Sequence, residues 1–451
     1  MTPTSLTALL EKYDVQVPRY TSYPAVPNWQ QTPTPDAWMA SLDAALRDDA
    51  ASLAVYVHLP FCETLCTFCG CNTVITRNHD RAAPYLDLVL RELDLYLARL
   101  PKLAERPISQ LHLGGGTPTF LAPGEITALL DGLAERMLRA GQHEASVEVD
   151  PRVTTGEHLR TLRGHGMTRI SLGVQDIDHE VLRLVNRPQP LEITARLCAQ
   201  ARDAGFESIN FDLIYGLPGQ STASMSRLAD AVVDLRPDRL AVYSFARVPW
   251  IKPAQRKFTD QQVPTGAEKR ALYEILRDRL LAAGYVEIGL DHFALPHDAL
   301  AIAAEHGTLH RNFMGYTDRR TTALLGLGVS AISETPAAYH QNEKVVTVYE
   351  RRVAAGEIPT LRGHVLSDED RRRAEAIRSL MTRGRAPLRD DDRVDAETHL
   401  AELVRDGIVE IAGAELRVTA QGTPFIRNAA AFFDAYYRKA AGQGPTYSRA
   451  I

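Results

Sequence analysis

Cysteine is scarce in this chain, with five residues among 451, and that excludes a fold held together by disulfides. Aromatic residues make up only 7%, which gives no sign of an aromatic carbohydrate-binding surface or membrane belt. No apolar run reaches about 18 residues, so we predict no transmembrane helix. Residues 1–14 lack the basic start, apolar run and cleavage site of a secretory signal, and we therefore expect a cytoplasmic protein.

An excess of basic residues is also missing. The formal net charge is −5, which argues against a dedicated nucleic-acid binder. What is present is an ordinary globular composition, 45% hydrophobic and 24% charged, in a chain long enough for a large core. Such a length allows about three domains, although an α/β barrel of roughly 200–250 residues can be a single one.

The few cysteines are clustered. Cys62, Cys66, Cys69 and Cys71 fall within ten residues, and Cys198 stands alone. In a reducing compartment such a cluster predicts a metal site rather than disulfides. We predict that Cys198, in an amphipathic helical segment, is a buried and unreactive thiol.

From residue 53 onward, short apolar segments alternate with amphipathic helical patterns. This alternation predicts βαβ units and a parallel sheet, but it does not separate a barrel or partial barrel from a doubly wound sheet. The predicted strands are 53–58, 108–113, 146–149, 169–174, 208–214 and 239–245, and the predicted helices are 85–100, 124–140, 155–165, 193–204 and 224–235.

Polar residues and glycines gather where these predicted strands finish. Parallel strands of α/β proteins build their sites at the carboxyl ends, so we predict a site there. Capping of the next helix explains one or two such residues more readily than all of them. They are His58, the 114–117 Gly-Gly-Gly-Thr segment, Glu148, Asp150, Gln175 and Asp212.

The last part of the chain has a different pattern. Helical segments at 368–383, 399–406 and 425–437 surround a short hairpin at 409–418, an order similar to a winged helix. Because the hairpin is acidic or neutral, we favour a structural or substrate-covering domain over a DNA-binding one.

The spacing of the first three clustered cysteines, Cys-x-x-x-Cys-x-x-Cys, narrows the choice of metal. A zinc site normally needs a second pair of Cys or His ligands, and the chain offers no such Cys pair. Soft thiolates in one tight loop suit an iron–sulfur cluster. If only three cysteines bind, one iron stays open to a small chelating molecule.

This loop resembles that of the radical S-adenosylmethionine enzymes, and further motifs are similar to those of the family among them that converts coproporphyrinogen III without oxygen. The resemblance implies a partial (β/α)6 barrel within an α/β fold, as a catalytic domain at 51–365. It also implies an N-terminal arm or lid at 1–50 and a mostly helical, winged-helix-like cover domain at 366–451. The similar segments are 19–24, 56–62, 69–72, 112–119, 148–151, 173–176, 185–187, 212–218, 291–294, 310–313 and 448–451.

The resemblance also implies an activity: oxidative decarboxylation of two propionates of coproporphyrinogen III to vinyl groups, giving protoporphyrinogen IX. The oxidant is a 5′-deoxyadenosyl radical made from S-adenosylmethionine at a 4Fe–4S cluster. Cys62, Cys66 and Cys69 are the implied cluster ligands, and Cys71 is not one. Two S-adenosylmethionine molecules, an electron donor and a monomeric enzyme are further implications, with no nucleic acid or membrane as partner.

The remaining site residues are carried over from the same resemblance or chosen for their charge. We expect His58 to lie near the cluster and either to tune it or to move protons. The implied catalytic residues are Tyr56, His58, Cys71 and Phe313. The implied cofactor contacts are Tyr56, Phe68, Gly115, Gly116, Thr117, Glu148, Gln175, Arg187, Asp212, Ala246 and Ile332. Candidates for the substrate carboxylates are Arg19, Tyr20, Tyr23, Arg256, Lys257 and Arg311, with surface solvation an equal alternative for Arg256 and Lys257.

Two positions depart from the family pattern: Arg247 stands where His is usual, and Met314 where Gln is usual. Two alternatives remain, a haem-binding chaperone and a haem-modifying relative. The chaperones generally lack the fourth cysteine and the 19–24 segment, both of which are present here. This favours the oxidase.

Overall fold

The structure, a computed structural model, describes residues 6–48, 50–439 and 447–449. The strands are β1 (Leu53–Leu59), β2 (Phe61–Cys62), β3 (Val74–Ile75), β4 (Ile108–Gly115), β5 (Arg139–Val149), β6 (Arg169–Gln175), β7 (Ser208–Tyr215), β8 (Arg239–Ser244), β9 (Val286–Ile288), β10 (His292–Ala294), β11 (His310–Asn312), β12 (Gly315–Thr317), β13 (Ala323–Leu327), β14 (Ile332–Glu334), β15 (Ala338–Asn342), β16 (Thr360–Val365), β17 (Arg385–Pro387), β18 (Val409–Ala412) and β19 (Glu415–Val418).

Helices occupy much of the chain between and after these strands. They are α1 (Leu6–Tyr13), α2 (Pro35–Ala45), α3 (Ala82–Arg99), α4 (Pro123–Arg136), α5 (Gly156–Gly164), α6 (His179–Leu184), α7 (Leu191–Asp203), α8 (Thr222–Leu235), α9 (Gly266–Ala282), α10 (Ala299–Glu305), α11 (Val346–Ala354), α12 (Asp368–Arg383), α13 (Asp390–His399), α14 (Ala401–Arg405), α15 (Ile426–Ala430) and α16 (Ala435–Lys439). None of the described helices is long and apolar enough to cross a membrane.

Twelve strands form one mixed sheet, in the order β16-β15-β14-β13-β1-β4-β5-β6-β7-β8-β10-β9. Its central part, from β13 to β8, is parallel throughout, and it contains all six predicted strands. Antiparallel strands extend both edges. Within the described residues no pairing joins β16 to β9, so the barrel is partial, as expected, but wider than six strands.

The two faces of the parallel sheet differ in polarity because strand side chains alternate with a period of two. Val147, Leu172 and Phe211 are fully buried in the main hydrophobic core, together with residues of α3, α4, α7 and α8. Their neighbours Ser171 and Asn210 point the other way and line a small polar cavity of about 120 Å³. The helices therefore cover the apolar face, and the polar face is left for chemistry.

The described part of the predicted N-terminal arm, residues 6–48, packs in two places. The first part, with Leu9, Leu10 and Tyr13 of α1, is buried in the core of the C-terminal domain. By contrast, Trp38 and Leu42 of α2 are buried in the main core. The predicted N-terminal lid is therefore divided between two hydrophobic cores, because its apolar side chains face two different partners.

The C-terminal domain has helices α12 to α14 and a three-stranded sheet in the order β17-β19-β18, consistent with the winged-helix resemblance. The predicted helix at 425–437 is broken into α15 and α16, with a 3₁₀ turn at Ala431–Phe433. Asp434 explains the break, since its carboxylate accepts a hydrogen bond from the Tyr437 amide at 2.8 Å and so starts a new helical turn.

Candidate active site

The cysteine loop leaves the sheet directly after β1. Cys62 lies on β2, which pairs with β3 and closes the loop at its base. Cys62, Cys66, Cys69 and Cys71 all line a cavity of about 730 Å³, here called the cysteine cavity. Residues at and just after the ends of β4 to β8 form its other walls. The cavity therefore lies at the carboxyl ends of the parallel strands, as predicted from the sequence.

Two arginines approach the sulfur of Cys66. Arg187 Nη1 lies 3.5 Å from Cys66 Sγ and Arg152 Nη2 lies 3.6 Å from it. Both guanidinium groups also bind the Asp150 carboxylate, at 3.1 and 2.6 Å. Burial opposes ionisation of Asp150, but Arg187 and Arg152 lower its pKa. This network places positive charge beside a sulfur that would be a thiolate in a cluster.

The other thiols have different surroundings. The Cys62 sulfur lies 3.3 Å from the Thr117 hydroxyl, and burial raises its pKa to about 11. A hydrogen bond from the Cys71 thiol lowers the pKa of Cys69 to about 6.

The donor set fits a 4Fe–4S cluster. Four thiols line one cavity, enough for a cluster that takes one thiolate on each of three ligated irons. In the described part of the chain no three His, Cys, Asp or Glu side chains lie close enough to hold a single metal ion. Arg187 Nε is also buried in the cavity wall without a hydrogen-bond partner.

The glycine loop after β4 packs closely against the end of β1. Gly115 has a φ of +109°, and a Cβ there would lie 2.5 Å from the His58 ring. A Cβ on Gly116 would lie 2.6 Å from the Pro60 carbonyl carbon. Both residues line the cysteine cavity, so the structure adds a steric reason for glycine to the expected approach of a cofactor.

Glu148, on β5, lines the cysteine cavity. Its carboxylate accepts hydrogen bonds from the Gly115 amide at 3.0 Å and from His112 Nε2 at 3.4 Å. Although burial opposes ionisation, these contacts lower the pKa of Glu148 below its ordinary value. His112 in turn lies 2.7 Å from the Ser146 hydroxyl. A negative charge held by two hydrogen bonds therefore faces the cysteine cavity.

The pKa of Asp212, on β7, is shifted in the opposite direction from that of Glu148. Burial, and then the charge of Glu148, raises its pKa to about 6. Ser171 and Asn210 each donate a hydrogen bond to it at 2.9 Å. These contacts fix its position as an acceptor for polar groups of a bound ligand. Nearby on the wall, Gln175 has a positive φ of 68°, which turns the chain at the end of β6.

A second cavity of about 430 Å³ adjoins the first, and Glu148 and Gly70 line both. The implied S-adenosylmethionine contacts divide between the two. Tyr56 and Ile332 line the second cavity, together with Phe313. Lining the cysteine cavity are Phe68, Gly115, Gly116, Thr117, Glu148, Gln175, Arg187, Asp212 and Ala246.

His58 connects the sheet to the cysteine loop. Its Nε2 lies 2.9 Å from the Asn72 carbonyl oxygen, so Nε2 carries the proton and Nδ1 accepts from the Tyr56 hydroxyl at 3.0 Å. Burial lowers the pKa of His58, which keeps the ring neutral. The geometry therefore favours a positioning role over proton transfer. His58 lines the second cavity rather than the cysteine cavity.

Two substrate candidates lie elsewhere than expected. Tyr20 and Tyr23 are both buried in the C-terminal domain core, and the Tyr23 hydroxyl accepts from the Ala435 amide at 3.2 Å. Neither lines the two cavities. Apolar burial dominates the environment of both tyrosines, and their contact with the substrate stays a prediction.

The four basic candidates have partners within the protein. Arg19 pairs with Asp291 at 2.7 Å, and Arg311 lies over the Tyr316 ring. Arg256 and Lys257 are exposed and donate to the carbonyl oxygens of Pro249 and Leu184, at 3.2 Å each. None of the four lines either cavity.

Of the two departures from the family pattern, only Met314 lines the second cavity. Arg247 forms an ion pair with Asp260 and donates to the Phe258 carbonyl oxygen at 2.9 Å.

The sequence prediction missed several residues of the site. Arg152 and His112 support the cysteine cavity, and Lys252 and Lys344 line the second one. His112 and Arg152 lie in or beside strand-end segments, which was the available signal. Lys252 and Lys344 lie in irregular segments without a pattern.

Comparison with known proteins agrees with this geometry. The radical SAM superfamily profile matches residues 56–232. Oxygen-independent coproporphyrinogen III oxidases from Salmonella typhimurium and Escherichia coli are 42% and 41% identical to this chain, over 96% of each chain. The chain belongs to the oxygen-independent coproporphyrinogen III oxidase family. The crystal structure of the Escherichia coli coproporphyrinogen III oxidase, described as a radical SAM enzyme, superimposes with a TM-score of 0.89 at 39% identity, covering 97% of this chain and 100% of that one.

Membership of the oxygen-independent coproporphyrinogen III oxidase family settles the cofactor class. The cofactors are a 4Fe–4S cluster and S-adenosylmethionine.

Proposed function

We propose that this protein catalyses the oxygen-independent oxidative decarboxylation of two propionates of coproporphyrinogen III, giving protoporphyrinogen IX. The proposal rests on the meeting of the cysteine cavity with the second cavity at Glu148. It is supported by the 41–42% identity of the chain to curated enzymes of that name over 96% of its length.

Cys62, Cys66 and Cys69 would hold the 4Fe–4S cluster, and Cys71 would remain a donor to Cys69. When bound, the cluster and S-adenosylmethionine supply one-electron chemistry that abstracts a hydrogen atom from a propionate β-carbon. Arg152 and Arg187 would stabilise the charge on the Cys66 sulfur, since both lie within 3.6 Å of it.

Two S-adenosylmethionine molecules are accommodated if each cavity takes one. In the cysteine cavity, Asp212, Gln175 and the Gly115 loop would bind the first molecule. In the second, Tyr56, Phe313 and Ile332 would contact the other. Glu148 touches both spaces, so it would orient both molecules.

The reaction balances for each propionate separately. The β-carbon loses a hydrogen atom, the carboxylate leaves as carbon dioxide, and one electron passes to an acceptor, leaving a vinyl group. A carbon radical attacks almost any C–H bond, so water must be excluded and the target held close. Phe68, which packs against the buried Ile214 and Phe245, supplies an apolar side to the cysteine cavity.

The remaining parts of the proposal follow the family resemblance. Residues 51–365 would form the catalytic domain, 366–451 the cover domain, and 1–50 the N-terminal arm or lid. The enzyme would be a cytoplasmic monomer that uses a separate low-potential electron donor and binds neither nucleic acid nor a membrane.

The test is an anaerobic assay with reconstituted protein, coproporphyrinogen III, S-adenosylmethionine and a low-potential reductant, with product mass as the readout. We expect loss of two carbon dioxide molecules from each tetrapyrrole, with a mono-decarboxylated product on the way. Tight haem binding without any conversion would contradict the proposal and favour a haem chaperone.

A further inference from the structure

Two lysines line the second cavity, and an arginine binds a residue of its wall. Lys252 and Lys344 line it, and so does Gln341. Arg362 lies opposite Gln341 on the neighbouring strand and donates to its side-chain oxygen at 2.8 Å. We call Lys252, Lys344 and Arg362 the cationic rim.

The charge of the cationic rim is not neutralised within the protein. No carboxylate of the described residues forms an ion pair with any of the three, whereas the nearby Arg352 pairs with Glu343 at 2.9 Å. Burial, and then the charges of Arg362 and Lys252, lowers the pKa of Lys344. The cationic rim therefore carries three positive charges that no described carboxylate neutralises, in a chain whose net charge is negative.

The surface beside the cationic rim is apolar and open to solvent. Ile251, at the edge of the second cavity, is 57% exposed. The adjacent Trp250 is 45% exposed. Exposed large apolar side chains beside unpaired cations suit a ligand with an apolar body and carboxylates at its edge.

A tetrapyrrole with four propionates is such a ligand. We propose that the cationic rim binds the propionates that are not reacting, and so directs one reacting propionate toward the wall that the two cavities share. Arg362 would bind a carboxylate through two N–H groups, and the lysines would act as point charges. This inference rests on the proposed function, and it replaces the arginines and tyrosines that sequence reasoning selected.

Binding of coproporphyrin III, the stable oxidised form of the substrate, tests the inference by fluorescence titration under low salt. Lys344→Gln is the main variant, because its ammonium has no hydrogen-bond partner among the described residues. We expect its Kd to rise about three- to tenfold, and that of Lys252→Gln/Lys344→Gln about tenfold or more. The tetramethyl ester, which lacks carboxylate charge, should bind wild type and variants equally.

Lys102→Gln is the matched control, since Lys102 pairs with Asp43 at 2.6 Å and lines neither cavity. Cluster absorbance should be retained in every variant, because none of the substituted lysines is a proposed cluster ligand. If both lysine variants bind the tetra-acid within twofold of wild type while wild type converts coproporphyrinogen III, only the cationic rim is contradicted. If wild type binds the tetra-acid through the cationic rim but converts nothing, the proposed function fails instead.

Discussion

The cysteine cavity and the second cavity are assembled in different ways. The first is built from short, closely spaced segments at strand ends, such as 62–71 and 114–117, and its charges are paired, as in Asp150 with Arg187. The second brings together residues more than 200 positions apart, such as Tyr56 and Lys344. The second cavity forms because β13 pairs with β1, and β14 and β15 follow β13 in the sheet order. A motif marks the first cavity, whereas only topology produces the second.

The largest expected effect separates cluster ligands from their neighbour. Cys62→Ala, Cys66→Ala and Cys69→Ala should each abolish both the brown cluster absorbance and activity, because each removes a thiolate ligand. Cys71→Ala should keep the absorbance, measured after anaerobic reconstitution. A colourless Cys71→Ala protein would show that the ligand set is assigned wrongly.

The next effect concerns the wall that both cavities share. Glu148→Gln removes the negative charge that lines both cavities but keeps the size of the side chain, so turnover should fall about 10²–10³-fold. Iron content should be unchanged, because Glu148 contacts no cysteine in the structure. Steady-state kcat with an iron assay checks this. Normal turnover would mean that the shared carboxylate is not needed.

A smaller effect is expected where β1 holds the cysteine loop. His58→Ala removes the donor to the Asn72 carbonyl oxygen, and slight misplacement of the loop should lower kcat about 10–100-fold with iron largely retained. His58→Gln can still donate a hydrogen bond and should recover part of the rate. If His58→Ala keeps full activity while His58→Gln loses it, a positioning role for His58 is excluded.

The smallest effect concerns stability and a carboxyl group beneath the second cavity. Burial raises the pKa of Glu92 to about 7, and its partners Gly328 and Asn342 follow β13 and end β15. Between pH about 4.5 and 7 the folded state keeps a proton that the unfolded state has lost. The contribution of Glu92 to the unfolding free energy therefore falls by about 1–3 kcal/mol as pH rises through that window.

Glu92→Gln should flatten this slope in denaturant titrations taken across the window. Asp150 beneath the cysteine cavity is the contrast: burial is outweighed there by Arg187 and Arg152, which lower its pKa. Its contribution should be lost only as pH falls below the ordinary range of an aspartate. An unchanged slope in Glu92→Gln would contradict the assignment.

The sequence was informative where local patterns decide the structure. The six predicted strands and the cysteine loop are all found, because period-two burial and motif spacing are local properties. The burial of Tyr20 and Tyr23 was not predicted, because nothing local indicates that their segment joins a distant C-terminal core, where Arg427 donates to the carbonyl oxygens of Val17 and Pro18. Lys252, Lys344 and Arg362 escaped prediction for the same reason, since three separate segments must fold before they meet.

The central claim is that a propionate of coproporphyrinogen III loses its β-hydrogen where the two cavities meet. Coproporphyrinogen III deuterated at the propionate β-carbons tests it in a single anaerobic turnover with S-adenosylmethionine and reductant. The account predicts deuterium in the 5′-deoxyadenosine formed, together with a new vinyl group on the tetrapyrrole. Deoxyadenosine without deuterium, beside unchanged coproporphyrinogen, would contradict it.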